Sequence, residues 1–114
     1  MNVLIVDDEE DIGLMVSMFL KKKGISVDYA DRITKAKNMI QAHAYEVYFL
    51  DLNLPDGTGF DLMDDIRNAS EGAKVIIISA YDGVVETRRA AEMNIDHFIK
   101  KPFTKKQIID AVNA

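Results

Sequence analysis

The sequence has no cysteine, which excludes disulfide bridges and thiolate metal sites and suits a reducing cytosol. It has no apolar run of membrane-spanning length. The first residues do not read as a secretory leader, because one apolar pentad runs straight into acidic residues with no basic flank. Positive charge is in deficit: 14 Lys and Arg against 19 Asp and Glu leave a net charge of −5. Such a surface is repelled by a phosphate backbone, so direct nucleic-acid binding is not expected, and neither is membrane association. Internal repeats, low-complexity tracts and linkers are absent. What remains describes an ordinary globule: 114 residues, 48% hydrophobic and 29% charged, one domain able to bury roughly two-thirds of its unfolded surface. The expected location is cytoplasmic.

Along the chain the hydrophobic period alternates between two and 3.6. Asn2 to Val6 reads as a buried strand. From Asp11 to Lys23 the residues Ile12, Met15, Val16, Phe19 and Leu20 share one helical face, with Gly24 as the stop. A second strand near Val27 to Tyr29 precedes a helix around Thr34 to Gln41, carried by Ala36 and Ile40. Val47 to Leu50 is a third strand, followed by the turn signal Leu54-Pro55-Asp56-Gly57 and a helix burying Phe60, Met63 and Ile66. Lys74 to Ile78 is a fourth strand. A helix from Val84 to Met93, a strand near Ile95 to Ile99 and a helix opened by Thr104 and Gln107 as a capping box finish the chain. Five such βα units imply an α/β fold: a doubly wound, five-stranded parallel sheet of flavodoxin-like order 2-1-3-4-5 with five helices.

Four strands stop at residues useful to phosphoryl chemistry: Asp7 and Asp8, Asp51, Ser79, and Lys100 with Lys101. Parallel strands have their carboxyl ends on one edge, where open α/β sheets bind ligands, so these side chains should meet in one crevice. Helix-capping accounts for some of the acids between Asp7 and Asp11, and Ser79 and the lysines have equally plain surface roles. Coincidence at four strand ends is the weaker explanation. Three crowded carboxylates call for a divalent cation. Oxygen ligands, with no cysteine and no paired histidines, favour Mg2+ over zinc. Asp51 would then attack a phosphoryl group in line, giving an aspartyl phosphate.

Val6-Asp7-Asp8-Glu9, Asp51 followed by Leu54-Pro55-Asp56-Gly57, Ser79-Ala80 and Lys101-Pro102-Phe103 together resemble the receiver domain of two-component response regulators, over essentially the whole chain, 1–114. The resemblance implies that Asp51 accepts the phosphoryl group from a sensor histidine kinase or phosphotransfer protein. It implies that Asp8 binds Mg2+ directly, Asp7 directly or through water, and Asn53 through its backbone carbonyl. Ser79 would bond the phosphoryl oxygen and Lys101, before a usually cis proline peptide, would pair with it. Phosphorylation would draw Ser79 inward and let Phe98 swing into the vacated space, switching the surface of the fourth helix, fifth strand and fifth helix. Asn53 and Tyr81 would line the path of the hydrolytic water. The domain would catalyse its own phosphorylation and dephosphorylation while serving chiefly as a signalling switch. It would act on an output domain or downstream protein, and homodimerisation on activation belongs to the same implication. Phe98 replaces the common tyrosine and Ser79 the more frequent threonine. With Met1 directly before the first strand, the chain reads as the start of a receiver that stops in its last helix at Ala114.

Two other classes compete. A phosphohydrolase of the haloacid dehalogenase type wants a second aspartate two residues after the first, where Asn53 stands and cannot act as acid or base. A phosphorylation-independent interaction module would not need the full set of Asp7, Asp8, Asp51, Ser79 and Lys101. The remaining features read as structural. Met15, Met18, Met39, Met63 and Met93 fall in helices, with core filling rather than redox sensing the expected role of most of them, His43 and His97 lack a partner at ligand spacing, and Lys21 to Lys23 suit a helix C-terminus. Gly57 to Leu62 lacks the last glycine of a dinucleotide fingerprint.

Overall fold

Strands that are apolar on both faces need cover on both faces. β1 (Asn2–Val6), β3 (Val47–Leu50) and β4 (Lys74–Ser79) are such strands, buried along nearly their whole length. The computed structural model describes residues 1–80, 83–95 and 97–114. β2 (Ser26–Ala30) and β5 (His97–Lys100) flank the buried three and alternate or loosen in burial, as edge strands do. All five pair in parallel in the order β2-β1-β3-β4-β5, the expected topology.

Strand parity then divides the core. Leu4, Val6, Tyr48, Leu50, Val75 and Ile77 face α2 (Ile33–Ala42), α3 (Met63–Ala69) and α4 (Val84–Glu92). Val3, Ile5, Val47, Phe49, Ile76 and Ile78 face α1 (Glu10–Lys21) and α5 (Lys105–Asn113). Thr104 caps α5 through the expected box with Gln107. Gly24 has the left-handed φ of 77° that stops the chain after α1.

Three expectations need correction. Met15 lies at 36% exposure and Met18 at 58%, because α1 buries the stripe of Gly13, Val16 and Leu20 and Met15 falls about 130° from its centre. The helix after the turn is divided into a 3-10 turn at Gly59–Leu62 and α3. Thr58 and Asp61 form a capping box that opens the 3-10 turn, and Gly59 lets its backbone pack against the Asp51 carbonyl. The last strand begins at His97 and includes Lys100, later than the hydrophobic run suggested.

The turn at Leu54 to Gly57 also holds α2 in place. Arg32, at the N-cap position of α2, gives no side-chain cap. Asp56 supplies one from across the fold, accepting from the backbone N–H groups of Ile33 (2.8 Å) and Thr34 (3.1 Å). The Ile33 N–H, first among its interactions, holds the Asp56 carboxyl below its ordinary range. A depressed folded-state value means a stabilisation present above the ordinary carboxylate pKa and lost as pH falls through the folded value. In urea unfolding at pH 7, Asp56→Ala is expected to shift the midpoint down and Asp56→Asn to retain most of the parent stability; equal midpoints for Asp56→Ala and the parent would remove this role.

Candidate functional site

The site is built by extending the sheet's hydrogen bonding one residue past the strands. Val6 pairs with Leu50, and Asp51 N–H donates to the Val6 carbonyl at 2.8 Å, so Asp7 and Asp51 leave the sheet side by side. Ser79 is the last residue of β4 and pairs with Lys100, while Lys101 N–H donates to the Ser79 carbonyl at 2.8 Å. Strand pleating sends Lys100 and Lys101 to opposite sides. Lys101 therefore reaches the carboxylates and Lys100 is exposed. The Lys101–Pro102 peptide is cis.

One ammonium ties the site together. Lys101 Nζ lies 2.9 Å from Asp7 Oδ2, 3.2 Å from Asp51 Oδ2 and 3.5 Å from Glu9 Oε1. Asp7 is fully buried and Asp51 is 4% exposed. Burial works to lower the Lys101 pKa, but its close pairing with the Asp7 and Asp51 carboxylates outweighs that and holds the ammonium above its usual range. Burial likewise pushes Asp7 up from 3.8 to about 6, with Asp51 adding repulsion and Lys101 and the Glu9 N–H opposing. Asp7 Oδ1 accepts from Glu9 N–H at 2.8 Å. Its Oδ2 meets the Lys101 charge without an aligned hydrogen bond.

Asp8 joins these acids from an exposed position, and carboxylate oxygens of Asp7, Asp8 and Asp51 lie within 4.8 Å of one another. A buried carboxylate oxygen without an aligned donor, inside an all-oxygen cluster, fits a hard divalent cation such as Mg2+ and does not fit a soft one. Asn53 N–H donates to Asp51 Oδ1 at 3.1 Å, which fixes the carboxylate's rotation. Gly59 closes the floor: a Cβ there would sit 2.4 Å from the Asp51 carbonyl oxygen. Ser79 is buried at the neighbouring strand end, and Phe98 is half-buried one strand further, packed against the core on the α4 side. Tyr81 lies outside the described residues.

Sequence reasoning did not single out Glu9, which contacts Lys101 and anchors the Asp7 side chain through its N–H. It stood in the Val6-Asp7-Asp8-Glu9 motif and in an acidic run, with no role of its own assigned. A cavity of about 380 Å³ beside the acids, lined by Leu52, Asn53, Phe60, Val85 and Arg89, was not foreseen either. Arg89 stands over the Phe60 ring at 4.9 Å. A larger depression, about 530 Å³, lies around Met1, Glu46, Gly72 and Lys74, at the other end of the strands from the acids.

The sequence profile of the response regulator receiver domain matches residues 3–113. The cell cycle response regulator CtrA of Brucella ovis is 26% identical over 114 residues, all of this chain and 49% of that protein. The chain thus spans about half the length of the curated relatives it matches. The non-phosphorylated HemR receiver domain from Leptospira biflexa superimposes with a TM-score of 0.89 at 31% identity, covering 98% of this chain and 90% of that one. A response regulator from Burkholderia pseudomallei, solved with a phosphorylated aspartic acid, a calcium ion and citrate, gives a TM-score of 0.89 at 23% identity. It covers 96% of this chain and 65% of its own.

The raised Asp7 pKa has a definite sign. The folded state holds the Asp7 proton more tightly than the unfolded chain does, so this group's stabilisation is full below about 3.8 and is lost as pH rises through about 6. At pH 7.5 without divalent ions the ionised Asp7 is a burden. Asp7→Asn should then melt higher than the parent by about 4 °C or more, the shift that ~1 kcal/mol gives a domain of this size. The gap should narrow at pH 5. A variant that melts lower at pH 7.5, or a gap independent of pH, would refute the sign.

Proposed function

We propose that Asp51 is the phosphoacceptor of this chain, which belongs to the response regulator receiver domain family. As a receiver it takes its phosphoryl group from a kinase or phosphotransfer partner. The observation that carries the assignment is the setting of Asp51: buried at a strand end, with one carboxylate oxygen on Lys101 and the other on Asn53 N–H, beside two further acids. On the same fold, the Burkholderia pseudomallei protein carries a phosphorylated aspartic acid and a calcium ion. Residues 1–114 act as a single receiver domain.

An Asp51 carboxylate oxygen attacks the phosphorus of the donor. The new O–P bond forms as the bond from phosphorus to the donor's leaving atom breaks, and that atom departs with the electron pair. Asp7, Asp8, Asp51 and the Asn53 carbonyl would hold Mg2+, which when bound supplies positive charge against the phosphoryl oxygens. Lys101 exchanges its carboxylate contacts for the phosphoryl group, which brings the same charge to a nearby anion. The Ser79 hydroxyl donates to a phosphoryl oxygen. Its inward movement opens room for Phe98, so the α4, β5 and α5 surface changes. Water attack on phosphorus returns phosphate and the free Asp51 carboxylate, with Asn53 and Tyr81 flanking the water's approach.

The recipient of the switched surface is an output domain or a downstream protein, and a homodimer on activation uses the same face. Among the described residues no helix is long and apolar enough to cross a membrane; the cytoplasmic location is part of the proposed receiver role. A dehalogenase-type hydrolase is disfavoured because Asn53, two residues after Asp51, carries an amide that cannot act as a general acid or base.

With Mg2+ and acetyl phosphate, intact-protein mass spectrometry should show the gain of one phosphoryl group, labile to hydroxylamine as an acyl phosphate is. Asp51→Asn should abolish the gain, since an amide is not a competent nucleophile, while Lys101→Ala should impair the switch more than metal binding. Equal labelling of Asp51→Asn and the parent, or a stable adduct on Ser79, would overturn the assignment.

A further inference from the structure

A glycine inside a helix costs about 1 kcal/mol relative to alanine, so one that is buried mid-helix calls for a physical reason. Gly13, in the first turns of α1, is buried, and a Cβ on it would lie 2.5 and 2.6 Å from the Tyr29 ring carbons Cε1 and Cδ1. Those are side-chain atoms, but the ring is not free to move aside. Tyr29 sits on β2 opposite Ile5 of β1, and its hydroxyl donates to the Asp7 backbone carbonyl at 2.6 Å. Asp7 N–H donates to the Ala30 carbonyl at 3.1 Å. The end of β2 therefore grips both backbone polar groups of Asp7, while Glu9 N–H takes Oδ1. Oδ2 is left directed at Lys101, within the carboxylate cluster.

We infer that Tyr29 is a positioning residue for the cation-binding turn after β1, and that Gly13 is glycine to admit its ring. This rests on the assignment of Asp7, Asp8 and Asp51 to a Mg2+ site. The hydroxyl is suited to the task because a phenol keeps its proton throughout the physiological range and the Asp7 carbonyl can only accept. Fixing the Asp7 carbonyl fixes the plane of the peptide joining Asp7 to Asp8, and with it the origin of both side chains. Preorganised ligands bind a cation more tightly than ligands that must first be ordered.

Tyr29→Phe keeps the ring against Gly13 and removes only the donor. Calorimetric titration with Mg2+ should give a Kd weaker by about 3- to 10-fold, the factor one net hydrogen bond supplies, with Asp51 still accepting one phosphoryl group at saturating Mg2+. A second comparison isolates the glycine. Gly13→Ala should weaken Mg2+ binding in the parent but leave it unchanged in a Tyr29→Ala background, where the ring is gone, and this non-additivity is the signature of contact. If the parent binds Mg2+ and gains its phosphoryl group while Tyr29→Phe binds Mg2+ equally well, the inference fails and the site assignment stands. A parent that neither binds Mg2+ nor gains a phosphoryl group would overturn both.

Discussion

Everything at the carboxyl edge of this sheet follows from like charges held closer than water would allow. Asp7 and Asp51 are carried out of the core by adjacent strands and remain buried, and Asp8 brings a third carboxylate within 4.8 Å. Lys101 contacts three acids at once and still leaves the Asp7 proton held more tightly than in an unfolded chain. A site in this condition gains from any added positive charge. Under the proposed function, phosphorylation of Asp51 would replace about one negative charge by about two, so it would deepen the demand for positive charge that the cation and Lys101 meet. Metal binding is the release of this electrostatic load, and phosphoryl acceptance would depend on it.

The load is tolerable because the framework cannot relax around it. Two apolar layers, α2, α3 and α4 on one face and α1 and α5 on the other, lock β1, β3 and β4 between them. Short-range devices then fix the loops that carry the acids. Gly59 lets the 3-10 turn press against the Asp51 backbone, Asp56 ties the following turn to α2, and Tyr29 with Gly13 holds the turn after β1. Each trades local freedom for placement, which is the use a functional site makes of stability earned in the core.

The architecture was legible because its signals are local. A two-sided apolar strand, a helical stripe and a capping residue announce themselves in the residues that form them, and the sheet order followed from the alternation. Asp51 could be set beside Lys100 and Lys101 in advance because strand ends share an edge, and the resemblance, through Pro102, selected Lys101 of the two. Ser79 was placed after its strand but closes it, since the ladder to Lys100 continues one pair further than hydrophobicity shows. Met15 was misjudged because a flexible apolar side chain at the margin of a stripe carries no mark of which side it takes. The grip of Tyr29 on the Asp7 carbonyl and the Asp56 cap on α2 join residues 22 or more apart in sequence, and no periodicity encodes such contacts.

If crowded negative charge is what the site is built to exploit, a divalent cation must stabilise the fold through these carboxylates. The direct measurement is the unfolding temperature as a function of Mg2+ concentration, for the parent and for Asp8→Ala, whose side chain is exposed and contributes little to the core. The account predicts a midpoint that climbs with Mg2+ in the parent and a curve displaced to much higher concentration in the variant. Superimposable curves, or a parent whose midpoint ignores Mg2+, would contradict it.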